Sequence, residues 1–155
     1  MFRSVSGMDE AEVVVRACTG RDEWPALIRI WRAAVTATHD FLSPDDIDFY
    51  ESRMPAYLPQ VRLSVAERDG VSIGFSGVAE GKLEMLFVDP AQHGTGAGSA
   101  LLAAAVADNP RLLVDVNEQN PRALGFYEHH GFARLGRSAT DSEGRPFPIV
   151  HLGLR

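Results

Sequence analysis

Residues 83–106 read LEMLFVDPAQHGTGAGSALLAAAV: an apolar strand, a proline, three alternating glycines, then an alanine- and leucine-rich helix with no break. That order describes an anion-binding turn. Gly94, Gly96 and Gly98 let the backbone turn sharply and approach a ligand closely, so that successive amide N–H groups converge at the start of the following helix. Each charge interaction at such a terminus contributes roughly 0.3–1 kcal/mol, so a diphosphate needs several amides acting together. Spacing separates the competing motifs. A P-loop needs a lysine after its last glycine, and here Ser99 and Ala100 follow Gly98. A dinucleotide fingerprint needs G-x-G-x-x-G, and Ser99 or Leu101 stands where the third glycine belongs, although Asp115 lies at a distance suited to a ribose carboxylate. A plain helix-capping turn would need one glycine.

Working outward, residues 112–132 read LLVDVNEQNPRALGFYEHHGF. Leu112 to Val116 reads as a buried strand, Asn120 as a helix N-cap, Pro121 as the first helical residue and Gly131 as the stop. The two stretches together resemble the GCN5-related N-acetyltransferase (GNAT) superfamily, whose members carry V-x-P-x-x-[QR]-G-x-G-x-G and later V-x-x-x-N-x-x-A-x-x-x-Y-x-x-x-G-F. This chain has Val88, Pro90, Gly94, Gly96 and Gly98 in the first, and Val116, Asn120, Ala123, Tyr127, Gly131 and Phe132 in the second. One position departs: His93 stands where the family has Gln or Arg, which affects that side chain's contact and not the loop amides. Ala37 to Ser43 (ATHDFLS), Val116 to Asn120 (VNEQN) and Gly136 to Pro148 (GRSATDSEGRPFP) extend the resemblance to the small bacterial YjaB-like acetyltransferases, and so over nearly the whole chain.

Composition sets the bounds. A chain of 155 residues with 45% hydrophobic content is one domain, 1–155, able to bury about two thirds of its unfolded surface. Cys18 has no partner for an internal disulfide, residues 1–12 (MFRSVSGMDEAE) lack the apolar core of a signal peptide, and no apolar run reaches the ~20 residues of a membrane span. A cytoplasmic protein without a membrane partner is expected. The net charge of −6 and the lack of a basic cluster argue against nucleic acid and suit a cationic acceptor. A homodimer is the default among soluble oligomers.

The expected elements are a strand at Val13–Arg16, helices at Asp22–Thr38 and Pro44–Tyr57 (capped by Ser43), and strands at Arg62–Glu67 and Ser72–Ala79 around an Asp69-Gly70 hairpin. A strand at Lys82–Val88, a helix at Ser99–Asp108, a strand at Arg111–Val116 and a helix at Pro121–His130 follow, then strands near Ala133–Thr140 and Ile149–Leu154. This α/β (α+β) order is that of the GNAT fold: a mixed central sheet splayed between its middle strands, with helices on both faces.

The resemblance assigns roles. Acetyl-CoA would be the acetyl donor, its pyrophosphate on His93, Gly94, Thr95, Gly96, Ala97, Gly98 and Ser99, its pantetheine arm along Leu86, Phe87 and Val88, with Asn120 holding an arm amide. Tyr127 would be the general acid, since a phenol near pKa 10 can protonate a thiolate of basicity near 8.5. Asp115 and Glu84 compete as the base that takes a proton from the acceptor amine, with His39 and Asn117 on the acceptor side. The acidic Asp45, Asp46, Asp48 and Glu51 read either as an amine attractor or as a helix N-terminal charge pattern. His129, His130 and His151 lack a metal-ligand arrangement, and no metal is expected. The acceptor is a primary amine, either a peptide lysine or a small amine such as a polyamine, amino acid or aminoglycoside. A non-catalytic acyl-CoA sensor is the reading from another class.

Overall fold

A computed structural model describes residues 12–154; most of the stretch read for a signal peptide therefore lies outside the described residues. Eleven elements follow in the expected order: β1 (Val14–Ala17), α1 (Trp24–Thr38), α2 (Pro44–Tyr57), β2 (Arg62–Arg68), β3 (Val71–Ala79), β4 (Lys82–Val88), α3 (Ala97–Asp108), β5 (Leu113–Asn117), α4 (Pro121–His129), β6 (Phe132–Ser138) and β7 (Ile149–Leu154). Local chemistry fixes the joints. Ser43 and Asp46 form a reciprocal capping box at the start of α2, with Pro44 in the first turn. Asp69-Gly70 and Glu80-Gly81 both adopt positive φ, giving the two tight hairpins that connect β2, β3 and β4. The α1 helix starts later than Asp22, because Arg21–Glu23 forms a 3-10 turn ahead of Pro25.

The seven strands form one sheet, ordered β1-β2-β3-β4-β5-β7-β6. Every pairing is antiparallel except β4 with β5. Helices α1 and α2 cover one face, burying Leu27, Trp31, Val35 and Met54 against Leu63, Val65 and Phe75. Helices α3 and α4 cover the other, where Leu102, Leu124 and Tyr127 pack on Leu83, Val114 and Leu152. Each large apolar side chain so buried contributes roughly 1.5–3 kcal/mol.

Two irregularities position the site. The β3–β4 register passes from Val78↔Leu83 to Gly77↔Met85, which makes Glu84 the extra residue of a β-bulge. Leu83 and Met85, two apart, consequently pack into cores on opposite faces of the sheet. Second, β4 and β5 pair only at Lys82↔Leu113 and Leu83↔Val114 and then part. From Glu84 to Val88 the β5-facing edge of β4 is unpaired, as is the facing edge of β5 from Asp115 to Asn117.

Candidate active site

The parted strands enclose a cavity of about 320 Å³. Its walls include Glu84, Leu86, Phe87, Val88 and His93 from the β4 side, Asp115, Asn117, Asn120 and Tyr127 from the β5–α4 side, and His39 from the end of α1. Residues the sequence spread over ninety positions thus meet at one gap. Its two unpaired strand edges can hydrogen-bond an extended arm laid between them as an added strand.

The glycine turn follows His93 in the chain, and none of Gly94 to Ser99 is among the walls of this cavity. Gly94 (φ 82°) and Gly96 (φ 86°) both have left-handed backbone, a conformation that excludes a side chain without strain. Gly98 differs from the expectation of three turning glycines. It lies inside the first turn of α3, and a Cβ there would meet the Phe126 ring at an ordinary 3.6 Å. The Thr95 N–H bonds to the Gln92 carbonyl and the Ala97 N–H to Thr95 Oγ1, and the Ala97 side chain is buried in the core. Among the described residues the amides of Gly94, Gly96, Gly98 and Ser99 have no partner, and α3 has no side-chain cap. Ser99 Oγ lies 3.3 Å from His130 Nε2, whose Nδ1 donates to the Phe126 carbonyl. His93 is exposed beside them.

Tyr127 lines the gap and is only 6% exposed, its ring edge-on to Phe126 and Phe132. Burial raises its phenol well above the usual range, so it stays protonated at neutral pH. The hydroxyl has no hydrogen-bond partner among the described residues, yet it is not sealed from the cavity. Asn120 is buried and caps α4, its Oδ1 accepting from the Ala123 N–H at 3.2 Å.

The two candidate carboxylates sit in opposite circumstances. Asp115 is held on both oxygens: Lys82 Nζ lies 2.6 Å from Oδ2, and His151 Nδ1 donates to Oδ1 at 2.6 Å. His151 Nε2 in turn lies 2.7 Å from Ser138 Oγ. Glu84, thrust out by the bulge, has no hydrogen bond or ion pair among the described residues. Lost hydration raises its carboxyl above the ordinary range; the repulsion of Asp115 and Glu80 adds to this, and Lys82 opposes it. His39 is buried, which lowers its imidazole to about 4. The hydroxyl of Thr38 donates to the Ala34 carbonyl, so its oxygen accepts from His39 Nδ1 at 2.7 Å and leaves the Nε2 lone pair unused.

A second cavity of about 670 Å³ adjoins the first and shares Glu84, Asp115, Asn117, His39, Met85 and Phe87 as common wall. Its far side is α2 and the loop 139–148, bound together by Tyr50 donating to Asp141, Tyr57 donating to Glu143, and Arg145 3.1 Å from Asp46 and stacked 3.6 Å over Phe49. The acidic run of α2 is largely committed elsewhere. Asp46 serves the capping box and Arg145, while Asp48 and Glu51 both pair with Arg32 at 2.9 Å. The carboxylates that do line this cavity are Glu80 of the β3–β4 turn, Glu84 within β4, Asp115 in the middle of β5, and Asp141 and Glu143 of the loop. Sequence reasoning missed Lys82, Tyr50, Tyr57 and the His151 contact to Asp115. The last depends on β5–β7 register, which no local pattern encodes. Among the described residues no group of three or more His, Cys, Asp or Glu could hold a metal ion, and no helix is long and apolar enough to cross a membrane.

Residues 59–134 match the acetyltransferase (GNAT) domain family. Peptidyl-lysine N-acetyltransferase YjaB of Escherichia coli (strain K12) is 40% identical over 133 residues, 84% of this chain and 90% of that protein. The solution structure of apo-form YjaB from Escherichia coli superimposes with a TM-score of 0.83 at 36% identity, covering 91% of this chain and 96% of that one. PaiA N-acetyltransferase from Thermoplasma acidophilum, solved in complex with coenzyme A, shares the fold at a TM-score of 0.71 and 18% identity, covering 93% of this chain and 99% of that one.

Proposed function

This chain belongs to the GNAT acetyltransferases and is an N-acetyltransferase; from that premise we propose that it moves an acetyl group from acetyl-CoA to a primary amine, with a peptide or protein lysine as the acceptor. The observation that carries the donor assignment is the gap between two open strand edges walled by an unpartnered buried phenol, with a turn of four partnerless amides following directly in the chain after its wall residue His93. The diphosphate fits the amides of Gly94, Gly96, Gly98 and Ser99, and the extended arm fits the edge of Leu86 and Val88. Asn120, which lines the gap, would hold an amide of that arm. The name of the YjaB relative, peptidyl-lysine N-acetyltransferase, supports lysine as acceptor.

Acetyl-CoA would supply the activated acyl thioester; the protein supplies position and protons. Tyr127 holds its proton toward the cavity and delivers it to the departing sulfur. An acceptor amine of pKa near 10.4 must lose a proton at a cost of roughly 4.6 kcal/mol at pH 7. Glu84 suits that task better than Asp115, being free of partners among the described residues and raised above the ordinary carboxylate range, whereas Asp115 is tied to Lys82 and His151. Asp115 and Asn117 then serve to orient the amine, and His39, neutral with an open Nε2, can accept a hydrogen bond from it. A small amine is the second acceptor reading, favoured by the loop 139–148, which is bound to α2 along the acceptor cavity.

The test is coenzyme A release from acetyl-CoA by wild type and Tyr127→Phe, across lysine peptides, polyamines, amino acids and aminoglycosides. Amine-dependent turnover that falls about 10²- to 10⁴-fold in the variant, with the fold intact, is expected. Unimpaired turnover in Tyr127→Phe removes the phenol from the mechanism. Failure to bind acetyl-CoA removes the donor assignment.

A further inference from the structure

Lysine is among the commonest residues of soluble domains, yet this chain of 155 residues has fourteen arginines and one lysine, Lys82. That lysine is not on the outer surface at large. It lines the acceptor cavity, on the last stretch of β4 that still pairs with β5. Its backbone partner on β5 is Leu113, but its ammonium lies 2.6 Å from the carboxylate of Asp115, two residues further toward the gap. The side chain therefore leans toward the point where the strands part. Asp115 lines both the donor and the acceptor cavity while Lys82 lines the acceptor one alone, so the ammonium sits on the acceptor side of a shared wall residue, hydrogen-bonded as an incoming amine would be.

Resting on the acetyl-CoA-dependent reading above, we propose that Lys82 is an acetyl acceptor in cis, the one ε-amine the enzyme can modify on itself. Lys82 Nζ first leaves its ion pair with Asp115 and gives a proton to solvent water. The nitrogen lone pair then forms the N–C bond at the thioester carbonyl, the C–S bond breaks with its electron pair leaving on sulfur, and the sulfur takes a proton from Tyr127. The second amine proton returns to the phenol through water. The net change is ammonium plus thioester to acetamide, thiol and one released proton. The product is neutral, so Asp115 loses its cation and the acceptor cavity gains a bulky amide. Because an ion pair must break first, this transfer is slower than turnover of an added amine.

The intact protein is incubated with acetyl-CoA, with and without an added lysine peptide, and acetylation of residue 82 is read by peptide mass mapping. Wild type at two concentrations about tenfold apart, Tyr127→Phe, and urea-unfolded wild type are compared. The expected result is acetyl-Lys82 forming at a rate independent of protein concentration, slowed about tenfold or more in Tyr127→Phe and at background in the unfolded chain. An added peptide that is acetylated while residue 82 stays unmodified overturns the self-modification and leaves the enzymatic reading standing. Equal labelling of residue 82 in the unfolded chain or in Tyr127→Phe marks uncatalysed chemistry and overturns it. A rate that rises with protein concentration overturns the in-cis step. If acetyl-CoA is turned over with neither acceptor, both readings fall together.

Discussion

Asp115 Oδ1 and His151 Nδ1 lie 2.6 Å apart across the paired strands β5 and β7, and Lys82 holds the other oxygen of the same carboxylate. A carboxylate engaged on both sides is a poor place to put a third proton. Glu84, across the gap on β4, is engaged on neither.

Glu84→Gln is accordingly expected to lower kcat by about 10²-fold and to abolish the acid limb of the kcat/KM profile. Partial loss of hydration, with the charges of Asp115 and Glu80 and against the pull of Lys82, raises the Glu84 carboxyl, so in wild type that limb lies above the ordinary carboxylate range near pH 4.3, activity falling as pH drops through it. The same raised carboxyl disfavours folding when ionised, so the variant is no less stable at pH 7. Asp115→Asn, in contrast, is expected to raise the KM for the amine more than it lowers kcat. A pH–rate profile unchanged by Glu84→Gln would falsify the assignment.

The glycines divide by backbone conformation. Gly94→Ala and Gly96→Ala force a side chain onto left-handed backbone at roughly 1–2 kcal/mol each and disturb the partnerless amides proposed to take the diphosphate. Gly98→Ala meets no clash and gains up to about 1 kcal/mol of helix propensity. Calorimetric titration with coenzyme A, alongside thermal melts, should show weakened binding in the first two variants. In the third, binding should stay within a few-fold of wild type with an equal or higher Tm.

Stability should respond to pH through His39. Its folded imidazole, lowered to about 4 by burial, resists a proton that the unfolded chain accepts near 6.5. The contribution is present above pH 6.5 and is lost as pH falls from there to about 4, by roughly 3 kcal/mol in all. Urea denaturation from pH 7 to 4 should show a shallower loss in His39→Gln than in wild type; parallel curves would remove His39 as the cause.

Arg145 ties the β6–β7 loop to α2 through Asp46 and the face of Phe49. Arg145→Ala is expected to cost about 1 kcal/mol and to speed proteolytic cleavage around Gly144. The KM for the amine should rise while that for acetyl-CoA stays level, because the loop walls only the second cavity. An unchanged cleavage rate would mean that the Tyr50 and Tyr57 bonds suffice to hold it.

What the sequence determined by itself was whatever local chemistry encodes. The Asp69-Gly70 hairpin, the Ser43 and Asn120 caps, the glycine turn and the order of eleven elements each rest on a few neighbouring residues, and each was legible before any coordinates. Tertiary structure decided the rest. The bulge that frees Glu84 is a mismatch between two strands, the Asp115–His151 contact joins residues 36 apart, and the Tyr57–Glu143 contact joins residues 86 apart. Gly98 carries the same letter as Gly96, but one is in a helix and the other in a left-handed turn. Pairing register and packing over such separations are set by the summed burial of two cores. No short stretch of this chain contains the side chains that decide them.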